Sequence, residues 1–258
     1  MTDIASELPQ HTPASPSTPA QTPVQTPAQV PTPTSAAVAR VSLPPSGSLR
    51  RAPHVHASTT PGAHRPMRRA DREVRSPQQI KDILDSCEVV RIAYQDAEGL
   101  TIVPMNFGYQ FTLERFPQPE NDLPVSLSAD GTPLPPDFGE LRIFLHSAHE
   151  GRKIDAIRAA GNALQVAFEL DCDHQVHEGR TPCNWSASFR SIVGTGTASV
   201  VTDLDEKIVA MQALMSKQAG MDHVPFTAQQ MASVTVWQIT STNFTGKIHT
   251  VPRPHGGK

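Results

Sequence analysis

The sequence predicts a mainly β, α+β domain: an antiparallel β-barrel with flanking helices. Three observations carry that expectation. Strand-like segments follow one another in pairs, without the regular strand–helix alternation of a doubly wound sheet. Neither a G-x-G-x-x-G nor a G-x-x-x-x-G-K-[ST] loop occurs, so no dinucleotide or nucleoside-triphosphate cradle competes with the barrel. The turn residues cluster between the apolar runs, where hairpins need them.

Only part of the 258-residue chain takes part in this pattern. Residues 1–66 hold 13 of the 25 prolines and no aromatic residue, and they repeat Thr-Pro and Ala-Pro, as from Gln21 to Ala28. Such a stretch cannot bury enough apolar surface to offset the entropy of ordering it, so it reads as a disordered, polyproline-biased extension. Residues 67–252 suit one domain, and 253–258 read as a flexible tail. The composition changes at Met67, where the functional chain is expected to begin if the upstream segment is dispensable.

Charge divides the same way. Arg40, Arg50, Arg51 and Arg65 against Asp3 and Glu7 give the first 66 residues +2, so a net charge of −3 leaves −5 on the remainder. No domain-wide basic field invites nucleic acid or an anionic membrane. No window approaches the apolar length of a spanning helix, and no secretory signal pattern opens the chain. Cys87, Cys172 and Cys183 are an odd count at irregular spacing, which argues against a disulfide framework and for a reducing cytoplasm.

The elements follow in order. Ser76-Pro-Gln-Gln79 opens a helix, with Ser as N-cap and Pro at the first helical position, and Ile80, Ile83, Leu84 and Cys87 form its apolar stripe. Val89–Tyr94 and Leu100–Phe111 read as a hairpin turning at Asp96–Gly99, with Pro104 placing the second strand at an edge or bulge. Thr112–Gly139 reads as a long surface loop, and Leu141–Leu145 as a strand. A helix is expected over Ala148–Ala160, and strands over Leu164–Leu170, Ser186–Val201 and Val234–Phe244. Asp203 caps the longest helix, with Ile208, Met211, Leu214 and Met215 on its apolar face, and a short helix follows Thr227.

The segment from His146 to Lys153 is the densest in chemistry: His146, Ser147, His149, Arg152 and Lys153 fall where a strand gives way to a helix. The first turn of a helix presents unpaired N–H groups and the positive end of the macrodipole, which favour a phosphate. Arg152 and Lys153 add charge there and Ser147 a hydroxyl; a solvated basic helix start is the plainer alternative. His146 and His149 are separated by the corner, which disfavours a shared metal. A second cluster, Cys172, His174, His177 and Cys183, fits no zinc spacing and reads as a hairpin tip, so no metal is expected. Without a G-x-S-x-G elbow, no hydrolase nucleophile is placed beside a base.

Six pieces in order now carry a resemblance: Arg68-Arg-x-Asp-Arg-Glu73, Ile102–Tyr109, His146–Lys153, Cys183–Ser186, Phe189–Gly196 and Phe244–Lys247. Together they resemble the pyridoxamine 5′-phosphate oxidase-like superfamily, close to its nitroimidazole-resistance (Nim) branch, over the span from Met67 to Lys247. The resemblance implies a homodimeric split β-barrel with FMN at the subunit interface. It implies that Val103, Pro104, Met105 and Asn106 line the isoalloxazine ring. Ser147, Arg152 and Lys153 would hold the phosphate, and His146 would stand beside flavin or substrate as the catalytic group. Trp185, Arg190 and Ser191 would lie near the cofactor, with Lys247 carried over as well. The loop 112–139 is longer than the resemblance leads one to expect. The reading is thus an FMN-dependent oxidoreductase of small aromatic or nitro compounds. A non-catalytic flavin- or haem-binding barrel, with His146 and His149 toward haem, is the alternative, and deazaflavin is an alternative cofactor.

Overall fold

The computed structural model describes residues 66–251. The extension expected over 1–66 lies outside them except for Pro66, and so does the tail expected over 253–258.

Local chemistry starts the elements largely where the sequence predicts. A two-residue strand β1 (Glu73–Val74) precedes α1 (Pro77–Ser86), whose N-cap Ser76 accepts from the Gln79 N–H at 3.3 Å. The stripe Ile80, Ile83, Leu84 and Cys87 is buried as expected, and the three aliphatic side chains contribute about 1.5–3 kcal/mol each. β2 (Val89–Asp96) and β3 (Gly99–Asn106) form the hairpin, with Asp96 paired to Gly99 at the turn. β4 (Gly108–Phe111), β5 (Leu141–Ser147), α2 (Arg152–Ala159), β6 (Leu164–His177), β7 (Ser186–Val200), α3 (Leu204–Ala219), α4 (Ala228–Ala232) and β8 (Thr235–His249) complete the order.

Every strand pairing is antiparallel, in the order β3-β2-β6-β7-β8-β5-β4 with β1 added on β8. β3 and β4 sit at opposite ends of that order, yet only Phe107 separates them in the chain. The sheet must therefore curl until its two ends meet, closing a barrel that is split between β3 and β4. The interior is apolar, with Phe107, Leu141, Ile143, Leu145, Phe168 and Trp237 almost wholly buried. A smaller cluster (Phe144, Val201, Ala210, Met211, Met231, Val236) packs α3 and α4 against the far side of β5 and β8.

Four expectations need correction, and one strand is new. The segment Leu100–Phe111 is two strands, because Phe107 turns into the core and β4 crosses to pair with β5. The helix expected from Ala148 starts only at Arg152, since β5 continues through Ser147 and Gly151 takes φ +124° as N-cap. β6 does not stop at Leu170. It runs to His177 over a bulge between Cys172 and Gln175, with Asp173 at φ +56°, so the Cys/His segment is strand and bulge and the connection lies after it. β8 extends past Phe244 to His249, pairing with β7 throughout. β1 was not anticipated. Two residues are too few for periodicity to register.

The loop 112–140 is pinned rather than free-standing. Arg75 donates from Nε to the Leu123 carbonyl at 2.9 Å and from Nη2 to that of Pro124 at 2.8 Å, while Ser76 Oγ donates to the Pro119 carbonyl at 3.0 Å. Phe138 is buried near its end and stacks on Phe244 with ring centroids 5.6 Å apart.

Candidate functional site

β3 forms one end of the strand order, and its residues alternate between two faces. Val103 and Met105 turn inward and pack on the core; Pro104 and Asn106 are exposed, as are Leu100 (79 %) and Ile102 (63 %). Pro104 is tolerated because an edge position needs no ladder donor from it.

Around the Gly99 end of β3 stands the start of α2. The Arg152 guanidinium donates from Nε and Nη2 to the two Asp96 oxygens at 2.8 Å each, and from Nη2 to the Gly99 carbonyl at 3.0 Å. These bonds tie the helix start to the β2–β3 turn. The hydrogen bond from Arg152 holds the Asp96 carboxyl below the usual carboxylate range. The backbone N–H groups of Arg152 and Lys153 have no acceptor among the described residues, and Lys153 makes no ion pair there. Gly151 leaves open space where a Cβ would stand, so a ligand can approach the backbone closely. Free N–H groups, a helix start and the Lys153 ammonium are the features with which an anion could be held.

Ser147 lies on β5, five residues before the first residue of α2, and its Oγ accepts from the Trp237 indole at 3.0 Å. His146 is half-buried and its ring makes no hydrogen bond among the described residues. Thr235 Oγ1 lies 3.1 Å from His149 Nδ1.

A second group gathers toward the Asn106 end. Ser191 pairs with Lys247 across β7 and β8, Lys247 with Glu73, and Ser191 with Asp171 on β6. Arg190 donates to the Asp173 carboxylate and, at 2.9 Å, to Ser86 Oγ. Ser86 and Asn106 both line a concavity of about 510 Å³. The Lys247 ammonium sits 5.6 Å from the Phe189 ring centroid. Trp185 stands apart in the β6–β7 connection, 52 % exposed, and no described contact joins it to the other site residues.

Trp185 aside, the anticipated residues thus fall into two groups, bridged by a strand of about 23 Å at the usual rise per residue. Sequence reasoning read Asp96 only as part of a turn and missed its pairing with Arg152, 56 positions away. Among the described residues no group of three His, Cys, Asp or Glu side chains is arranged to hold a metal: His177 is engaged with Ser188 at 2.9 Å and Cys183 is exposed. Burial pushes the Cys87 and Cys172 thiols up, away from reactive thiolates. No described helix is long and apolar enough to cross a membrane.

One sheet face remains. Arg91, Ala93, Ala167, Glu169, Val193 and Thr195 point outward from neighbouring strands beside Leu100 and Ile102, and Val193 is 52 % exposed. Its charges are internally paired, Arg91 with Glu169 at 3.1 Å and with Asp171 at 2.5 Å.

Comparison with known proteins agrees with this architecture. A family model described as pyridoxamine 5′-phosphate oxidase matches residues 76–248. Among solved structures, the flavocytochrome Anf3 of Azotobacter vinelandii is 15 % identical over 72 % of this chain and 73 % of its own, with a TM-score of 0.51. A FAD- and haem-binding protein of Mycobacterium smegmatis is 15 % identical over 72 % and 81 %, with a TM-score of 0.50. A Bacteroides thetaiotaomicron protein assigned to 5-nitroimidazole antibiotic resistance is 22 % identical over 68 % and 86 %, with a TM-score of 0.48. Among curated proteins, nothing matches the chain. At such identities the first two likenesses carry the split-barrel fold and nothing finer.

Proposed function

The chain belongs to the pyridoxamine 5′-phosphate oxidase family, and on that premise we propose that it is an FMN-dependent oxidoreductase that reduces small aromatic or nitro compounds as a homodimer. The observation that carries this reading is the α2 start: Arg152 and Lys153 N–H groups and a Lys153 ammonium without partners among the described residues, and an open Gly151, set beside the edge strand that bears Val103–Asn106. A terminal phosphate fits the first feature, and a planar ring along the half-buried Val103 and Met105 fits the second.

In this reading the flavin supplies the electron pair, and the chain supplies position and electrostatics. Lys153 and the helix N–H groups hold the phosphate. Arg152, already bonded to Asp96 and Gly99, fixes the helix start and offers its remaining N–H groups. Ser147 can still donate its hydroxyl proton while accepting from Trp237. His146, whose ring has no hydrogen-bond partner among the described residues, would be the group that gives the substrate a proton.

The exposed sheet face is what supports the homodimer. Leu100, Ile102 and Val193, with Ala93 and Ala167 between them, form a patch that one chain leaves in water, and its charges are already compensated. A second copy burying this face would bring two β3 strands, and with them two cofactor sites, to one interface.

The test is the visible spectrum of the purified protein. A yellow protein that releases FMN on boiling supports the proposal. A Soret band would instead favour the haem-binding alternative, for which His146 and the free Nε2 of His149 are the available ligands. A released deazaflavin would change the cofactor but not the site. A colourless protein that takes up no added FMN overturns the reading. Reduction of a nitroimidazole panel with NADH or NADPH then decides the substrate class.

A further inference from the structure

Five buried side chains among the described residues carry an O–H or N–H group: Ser76, Tyr94, Thr235, Trp237 and Ser241. Four of them are partnered. Ser76 and Ser241 donate to the carbonyls of Pro119 and Thr195, Trp237 donates to Ser147, and Thr235 pairs with His149. Tyr94 is only 6 % exposed, and its hydroxyl has no partner among the described residues. A buried hydroxyl without an acceptor costs free energy unless something from outside the chain supplies one. β2 sets where this hydroxyl lies. Val90, Ile92 and Tyr94 point to the barrel interior, and Asp96 follows two residues on, on the same side. Asp96 is the residue that receives Arg152 at the start of α2. Tyr94 therefore lies below the helix start, and the charges its hydroxyl feels are those of Arg152, Asp96 and Glu98. Burial, the largest influence, pushes its pKa up, so it keeps a proton to donate.

We propose that Tyr94 is a binding residue of the site at the start of α2, donating its hydroxyl proton from the barrel interior to an oxygen of a terminal phosphate that the Arg152 and Lys153 N–H groups meet from the helix. Unmet donors select this ligand, not net charge. Arg152 is answered by Asp96, with Glu98 at 3.8 Å, so the formal charges of that cluster do not decide the matter. Three donors without acceptors, two on the helix and one beneath it, call for a group that presents acceptors in more than one direction. A tetrahedral phosphate does so, whereas a planar carboxylate has only two oxygens in one plane. The inference rests on the reading of the α2 start as a phosphate site, and adds to it a contact from the opposite side.

The test compares the full chain with Tyr94→Phe, which deletes the hydroxyl and leaves the ring in the core. Fluorescence quenching reads the affinities for FMN and for riboflavin (the same flavin without its phosphate), and calorimetry reads inorganic phosphate. Tyr94→Phe should weaken FMN and phosphate about tenfold, the worth of a hydrogen bond to a charged group, and leave riboflavin unchanged. The melting temperature of the ligand-free variant should not fall, because the hydroxyl has no partner in the chain to lose; a fall would assign it a structural role and overturn the proposal. The chain holds two tyrosines, so 3-fluorotyrosine labelling gives two fluorine resonances, which Tyr109→Phe assigns. Phosphate should move the Tyr94 resonance, and that measurement decides the matter if Tyr94→Phe does not fold. Equal FMN and phosphate affinities in parent and variant, or a Tyr94 resonance indifferent to phosphate, overturns the proposal. An equal loss of FMN and riboflavin would place the hydroxyl against the flavin ring and overturn the phosphate contact. Tyr94-dependent phosphate binding in a protein that takes up no flavin keeps the proposal and removes the flavin reading. FMN bound equally by parent and variant does the reverse, and a chain that binds neither FMN nor phosphate overturns both.

Discussion

Arg152 and Asp96 meet in a two-point ion pair, Nε to Oδ2 and Nη2 to Oδ1 at 2.8 Å each, which fastens the first residue of α2 to the β2–β3 turn. The pair gives stability a pH dependence of definite sign. The folded Asp96 carboxyl is held below its unfolded value, chiefly by the Arg152 hydrogen bond. Its contribution is therefore present above the ordinary carboxylate pKa of about 3.9, and is lost as pH falls through the lower folded value. Asp96→Asn should lower the melting temperature at neutral pH, and the gap to the parent chain should close in acid. A gap that never closes, however far the pH falls below the folded carboxyl's titration, would show that the contribution is not the carboxylate's.

The same pair changes how the phosphate site should be tested. Removing Arg152 would disturb the proposed ligand contact and the anchoring of α2 together, so its loss would confound affinity with folding. Lys153 makes no ion pair among the described residues and gives the cleaner variant. Lys153→Ala should leave the melting temperature of the cofactor-free protein nearly unchanged while weakening FMN by about 10- to 100-fold, the worth of a charge-assisted hydrogen bond. Fluorescence quenching of FMN on titration measures it. Equal affinity in the two proteins would remove Lys153 from the site.

Much of this arrangement was legible in the sequence, and the parts that were not share a cause. α1 was readable because a cap, a proline and four apolar positions agree within one turn's reach of each other. Pro104 left the second strand at an edge or a bulge, and the strand order puts it at the edge. What escaped depends on distant partners. Phe107 looks like one more strand residue until β4 is seen pairing with Phe144 and its neighbours. The polar run from Asp173 to His177 does not alternate like a strand, and a bulge rather than a turn absorbs it. The helix start at Arg152 was placed too early because the Gly151 conformation, with φ +124°, leaves no side-chain signal.

The β3–β4 crossing depends on close approach at Gly108. A Cβ there would stand 2.4 Å from the Leu214 backbone nitrogen, and a backbone cannot swing aside as a side chain can. Gly108→Ala must push α3 off β4 and open the cluster around Met211 and Leu214. It should cost about 1–3 kcal/mol, the usual range for overpacking, read as a lower midpoint in urea with little change in slope. An unchanged midpoint would mean that α3 rides on β4 more loosely than the contact implies.

The outer sheet face yields the prediction on which the two-site arrangement depends. Ile102 is 63 % exposed and Val193 52 % exposed, so placing a charge at either position costs the isolated chain little. If two copies meet there, Ile102→Glu buries an unpaired carboxylate against its symmetry mate, where like charges and desolvation act together. Ile102→Glu and Val193→Glu should therefore each convert a dimer to a monomer in light scattering, with the far-ultraviolet circular dichroism of the parent retained. FMN affinity should fall with the dimer if the partner contributes to the site. A variant that stays dimeric would move the interface elsewhere; a monomer that keeps full FMN affinity would place the whole site within one chain.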